Sequence, residues 1–170
     1  MPRFREPVLN QADLASAYLD LHSSLMRGAP ALEREEQFLV FLERLFTVHA
    51  DLSGNSPSAS TRRDIEDVCA YLESHYAERI TLEQLAAVAK LNKYTLIRAF
   101  TRFKGITPYR YLETIRINRA KTLLEQGIEP AEAAQRTGFS DQSHFTSYFG
   151  RFIGLTPGQY RSVFRENMPE

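Results

Sequence analysis

A segment of this chain recurs at an offset of 49 residues, and that recurrence narrows the folds open to it. Shifting Phe100, Arg102, Phe103, Gly105, Thr107, Pro108 and Tyr111 by 49 positions lands on Phe149, Arg151, Phe152, Gly154, Thr156, Pro157 and Tyr160. Seven identities at one offset, rich in Gly, Pro and aromatics, are hard to obtain by chance. A period of this length matches one helical supersecondary unit plus its connector. Two copies are too few for a solenoid, so the pattern predicts a duplicated helix-turn-helix.

The second copy, Gly138 to Arg161, is the more legible. Gly138 accepts the positive φ that a tight helix-helix turn needs. Ser140 or Asp141 is placed to cap the next helix. Phe145, Tyr148, Phe149 and Phe152 recur at helical spacing and are expected on one buried face. Gly154 ends that helix, and Pro157 opens the last one, which runs to about residue 165.

Upstream the pattern is also helical. Leu14, Ala17, Tyr18, Leu21 and Leu25 keep helical spacing from about residue 11 to 26, and Gly28 to Pro30 break it. A second helix over 31–50 carries Leu32, Phe38, Leu39, Phe41, Leu42, Leu45 and Phe46, a wide apolar face that calls for cover. Residues 51–60, DLSGNSPSAS, are small, polar and turn-forming, and mark a domain boundary. Then come helices over about 61–76, a short one capped by Thr81, and one over 93–104 capped by Asn92. A long helix over 107–126 and a short one opened by Pro130 lead into the second copy. The fold class is therefore all-α: a seven-helix domain with two helix-turn-helix units joined by a long helix, preceded by an antiparallel helix pair.

On the helix 93–104, Leu96, Ala99, Phe100 and Phe103 fall on the buried side. Lys93, Tyr94, Ile97, Arg98, Thr101 and Arg102 are left facing out. This helix holds four bases, Lys93, Arg98, Arg102 and Lys104, and no acid. Such a face pairs charge for phosphates with groups for base edges, as the major groove requires. Arg98 sits centrally and suits a bidentate bond to guanine. On the second copy Gln142, Ser143, His144, Thr146 and Ser147 point outward, polar but nearly uncharged. Arg116 and Arg119 lie on one side of the connecting helix, placed to hold a phosphate between the two reading helices.

Composition closes off other classes. The net charge is zero, but residues 1–60 hold five Lys/Arg against eight Asp/Glu, and residues 61–170 hold sixteen against thirteen. No run of about 18 apolar residues points to a membrane span, and the amino terminus lacks a secretory pattern. The single cysteine, Cys69, allows no internal disulfide and fits a cytoplasmic setting. It follows Ile65 and Val68 on an apolar helical face and reads as core filler. The four histidines show no metal-ligand spacing, and neither a nucleophile–base grouping nor a phosphate-cradling loop is present. No cofactor, metal or catalytic residue is expected.

Residues 61–166 resemble the DNA-binding domain of AraC/XylS-type bacterial transcription regulators. The resemblance is carried by Ile80–Val88, by Phe100, Phe103–Gly105, Thr107, Pro108 and Tyr111, by Arg116, Ala120, Leu123 and Leu124, and by the whole Gly138–Arg161 stretch. It implies two reading helices, 92–104 and 141–153, entering successive major grooves of double-stranded promoter DNA about one helical turn (~34 Å) apart. By position, base contacts would come from Tyr94, Ile97 and Arg98, and from Gln142, Ser143, Thr146 and Ser147. Phosphate contacts would come from Lys93, Arg102, Lys104, Arg116, Arg119 and Arg151. Ile97 stands where a polar reader is common in the family, and Ser147 where Arg is, so the first copy is expected to dominate affinity.

Residues 1–52 resemble the helical end of the family's amino-terminal sensing and dimerisation domain, with 53–60 as linker. The resemblance implies a homodimer through residues 10–50, with Leu39, Leu42, Leu45 and Phe46 at the contact. RNA polymerase is the implied protein partner; whether the chain is an activator or a repressor, and its effector, are undetermined. Two other classes stand beside this reading. A helical protein-interaction module with vestigial DNA binding would not need four bases on an acid-free helix. A DNA-repair alkyl transfer enzyme needs an accessible nucleophilic cysteine, which Cys69 is not expected to be.

Overall fold

The computed structural model describes residues 12–47 and 59–165. Nine helices and no strand occur among them. An antiparallel pair, α1 (Ala12–Met26) and α2 (Ala31–Thr47), comes first. It is followed by α3 (Ala59–Ser74), α4 (Leu82–Ala89), α5 (Lys93–Lys104), α6 (Pro108–Glu125), α7 (Pro130–Arg136), α8 (Gln142–Ile153) and α9 (Pro157–Arg165). The order matches the sequence reading, except that α3 begins within the expected linker, at Ala59. Residues 48–58, the side chain of Phe46 and the first eleven residues lie outside the described part.

The chain forms two compact units, the first from the described parts of Met1–Cys69 with Thr81–Tyr109, the second from Ala70–Ile80 with the described part of Arg110–Glu170. The first joins residues from both sides of the expected 53–60 linker.

In the first unit, α1 buries a narrow stripe, Leu14, Ala17, Leu21 and Ser24. Ser24 answers its own burial by donating to the Leu21 carbonyl at 2.8 Å. Tyr18 and Leu25, which keep the same helical spacing, lie off this stripe and are exposed. Phe38 is likewise about half exposed. Across the pair, Arg27 binds Glu33 and Arg44 donates to the Asp13 carbonyl at 2.9 Å. The broad face of α2 is partly covered from within the chain, since α2 also packs on α4 and α5. Leu39, Leu42 and Leu45 are accordingly half-buried. Buried Glu36 accepts the backbone N–H of Tyr109 at 2.8 Å, a carboxylate set on the positive end of α6.

In the second unit Ile117, Ala120, Leu124, Ala133, Ala134, Phe139, Phe145, Tyr148 and Phe149 make one core. Phe145 and Phe149 meet edge-on at 5.5 Å, and Phe149 meets Tyr160 at 5.4 Å. Phe152 is not part of this face and is 50% exposed. It keeps helical spacing with Tyr148 and Phe149 but sits in the last turn of α8, which ends one residue later.

Candidate nucleic-acid interface

Each candidate reading helix is framed by the same local chemistry at both ends. Asn92 caps α5 by accepting the Thr95 N–H at 2.9 Å, and Asp141 caps α8 by accepting the His144 N–H at 2.6 Å. Both helices stop at a left-handed glycine, Gly105 (φ 75°) and Gly154 (φ 83°). Caps and stops alike are 49 residues apart. Preceding helices differ: α4 opens with a full capping box between Thr81 and Gln84, whereas α7 opens with Pro130 and no side-chain cap. The turns differ too. The first passes through left-handed Lys90 (φ 53°); the second, two residues longer, passes through Gly138 (φ 79°).

On α5, Lys93, Tyr94 and Arg98 are partly exposed and Arg102 and Lys104 are exposed. Ile97 is 3% exposed, which removes it from the base-reading set. It shares a side with Leu96 and Phe100, and an apolar side chain there gains more from the core than from water. Two cations of α5, Lys93 and Arg98, are met by acids from other helices. Lys93 Nζ lies 3.0 Å from Glu83 and 3.2 Å from Glu35 of α2. Hydrogen bonds to Glu83 and Glu35 raise the Lys93 ammonium above its ordinary pKa. Arg98 Nε lies 3.0 Å from Glu43 of α2, and its guanidinium carbon sits 5.5 Å from the centre of the Tyr94 ring.

On α8, Gln142, Ser143, Ser147 and Arg151 are exposed, and Thr146 is half-buried. His144, expected outward, is turned in, with Nε2 4.0 Å from the carboxylate of Glu113. Glu113 is 1% exposed. Arg110 lies 3.8 Å from it and also binds the Tyr148 hydroxyl. Burial and the nearby Glu113 carboxylate push the Tyr148 phenol well above its ordinary pKa.

Arg116 is not a phosphate contact. It is 6% exposed and spends its donors on the chain's own backbone: Nε on the Tyr76 carbonyl at 2.7 Å and Nη2 on the Glu78 carbonyl at 2.9 Å. Its guanidinium also lies 6.0 Å from the Phe139 ring centre. Arg119 is exposed beside the Tyr76 ring at 5.5 Å, so the expected Arg116–Arg119 phosphate clamp does not form. Cys69 is buried, as expected of a core residue. No group of His, Cys, Asp or Glu among the described residues is arranged to hold a metal ion.

Comparison with known proteins meets this geometry at the level of the whole domain. A family model described as a helix-turn-helix domain matches residues 85–162. The DNA-binding domain of AdpA, a global transcriptional factor solved in complex with a target DNA, is 31% identical with a TM-score of 0.59, covering 63% of this chain and 97% of that one. A probable AraC family transcriptional regulator from Rhodopseudomonas palustris CGA009 is 27% identical with a TM-score of 0.56, covering 60% and 97%. The chain belongs to the AraC family of DNA-binding transcription regulators. It is also similar to the HTH-type transcriptional regulator YbfI of Bacillus subtilis (strain 168), 45% identical over 144 residues, which are 85% of this chain and 52% of that protein. The chain spans about half the length of the curated relatives it matches along most of its own length.

Proposed function

We propose that this chain binds promoter DNA sequence-specifically, inserting α5 and α8 into successive major grooves, and catalyses no reaction. The observation that carries this is the matched pair of frames around α5 and α8, with polar or cationic side chains on the exposed side of each. Tyr94 and Arg98 read bases from α5; Gln142, Ser143, Thr146 and Ser147 read them from α8. Arg102, Lys104, Arg119 and Arg151 meet phosphates. Lys93 serves phosphate only after leaving its two glutamates.

The family supports contact with RNA polymerase and work in the cytoplasm. Among the described residues no helix is long and apolar enough to cross a membrane. A homodimer would form through residues 10–50, where Tyr18, Leu19, Leu25, Met26 and Phe38 add exposed apolar surface to the half-buried Leu39, Leu42 and Leu45.

Selection of bound duplexes from randomised DNA tests the reading, followed by titration of the selected duplex with Arg98→Ala and Ser147→Ala. The expected result is a steeply salt-dependent affinity and a larger loss at Arg98 than at Ser147. Equal losses would overturn the ranking of the two helices, and no enrichment would overturn the function.

A further inference from the structure

We propose that Glu43 of α2 is a positioning residue for base recognition: it holds Arg98 by its Nε edge, so that the two terminal nitrogens are presented end-on to a guanine. The inference rests on α5 being a DNA-reading helix. Arg98 is constrained from two directions. The Glu43 carboxylate lies 3.0 Å from Nε, and the Tyr94 ring, one turn earlier on α5, lies 5.5 Å from the guanidinium carbon. A guanidinium is planar, so fixing Nε also fixes the plane and direction of the edge formed by the terminal nitrogens. That edge matches O6 and N7 of guanine in the major groove. An arginine already held in its reading rotamer gives up less freedom on docking than one sampling solvent. The pair is also only partly open, with side-chain exposures of 38% for Arg98 and 26% for Glu43, so water weakens it less than a rim contact.

The opposite role is available to the same carboxylate. A glutamate on a cation can compete with DNA for it, as Glu35 and Glu83 are placed to do at Lys93. The two roles differ in sign. A competitor, once removed, tightens binding to every duplex alike. A positioning residue, once removed, erodes the preference for one base pair and leaves non-specific binding unchanged or stronger, because a negative charge near phosphate has gone.

The full chain is titrated with the duplex it selects from randomised DNA, and with the same duplex carrying A·T in place of each G·C pair in turn. Arg98→Ala identifies the guanine that Arg98 reads. At that pair Glu43→Ala and Glu43→Met, which both remove the acceptor, are expected to lose roughly five- to ten-fold of the preference for guanine. Glu43→Gln, whose amide oxygen still accepts from Nε, is expected to restore most of it. The double variant with Arg98→Ala should be no worse than Arg98→Ala alone. Uniformly tighter binding with the preference intact would overturn the proposal in favour of competition. So would effects of Glu43 and Arg98 that simply add. If the wild-type chain selects no duplex, or Arg98→Ala changes no preference, α5 is not a helix that reads through Arg98, and the positioning role falls with that reading.

Discussion

A Cβ placed on Gly138 would lie 2.7 Å from the carbonyl oxygen of Ala77 and 2.9 Å from its carbonyl carbon. The turn before α8 therefore rests directly on the backbone that follows α3. Gly138 also has φ +79°, where an L side chain is strained whatever the space around it. Gly138→Ala is expected to cost roughly 3 kcal/mol or more, since neither backbone can yield cheaply. Gly127 has a similar φ of +85° but open space at its Cβ, so Gly127→Ala should cost only about 1–2 kcal/mol. Urea denaturation of the two variants separates the steric part from the torsional part.

The first turn carries the reverse opportunity. Lys90 is exposed and holds φ 53° without being glycine. Lys90→Gly should raise stability by about 1 kcal/mol, because the torsional cost disappears and little packing is lost. The same denaturation experiment checks it; a loss of stability would mean that the lysine stem contributes more than its exposure implies.

Arg116→Met should destabilise the fold by about 2–4 kcal/mol, because the carbonyls of Tyr76 and Glu78 each lose a charged donor. It should leave the salt slope of DNA binding unchanged under conditions where the variant is folded. Arg151→Ala, on the exposed side of α8, should do the converse: near-native stability and a slope lower by about one phosphate contact.

Tyr160 gives a pH signature. Partial burial and the hydrogen bond from its hydroxyl to Glu125, at 2.5 Å, push its phenol up to about 12. The folded chain thus holds this proton more tightly than the unfolded chain, whose tyrosines titrate near the ordinary value of 10. Its contribution is fully present below pH 10 and is lost as pH rises towards 12. Tyr160→Phe should flatten the pH dependence of the melting temperature across that window, at the cost of one hydrogen bond at neutral pH, about 1 kcal/mol.

What the sequence disclosed and what it hid have a common explanation. Capping residues act on backbone within one turn, so Thr81, Asn92 and Gly138 could be read locally and the helices they delimit with them. Side-chain roles set by distant elements could not. Arg116, expected at a phosphate, lies inside with Glu113: Leu112, Glu113, Arg116, Ile117, Ala120 and Leu124 form one buried stripe on α6. Helical spacing alone would have placed both charges inside, had residue type not argued the other way. Ile97 is the mirror case, a position carried over from the family that this chain gives to its core. The ion pairs of α5 with Glu35 and Glu43 had no local signal, because they join residues more than fifty positions apart.

The acids that α2 brings to α5 make the amino-terminal helices an electrical part of the reader. Trimming the chain at residue 60 removes a segment with five bases and eight acids and leaves one with sixteen bases and thirteen acids. It also strips Lys93 and Arg98 of their α2 counter-ions. A truncated domain would be a stickier polycation than the parent: it would cling longer to heparin and to unrelated duplexes, with a steeper response to added salt. Affinities measured on such a fragment would describe a less discriminating molecule than the one this sequence encodes.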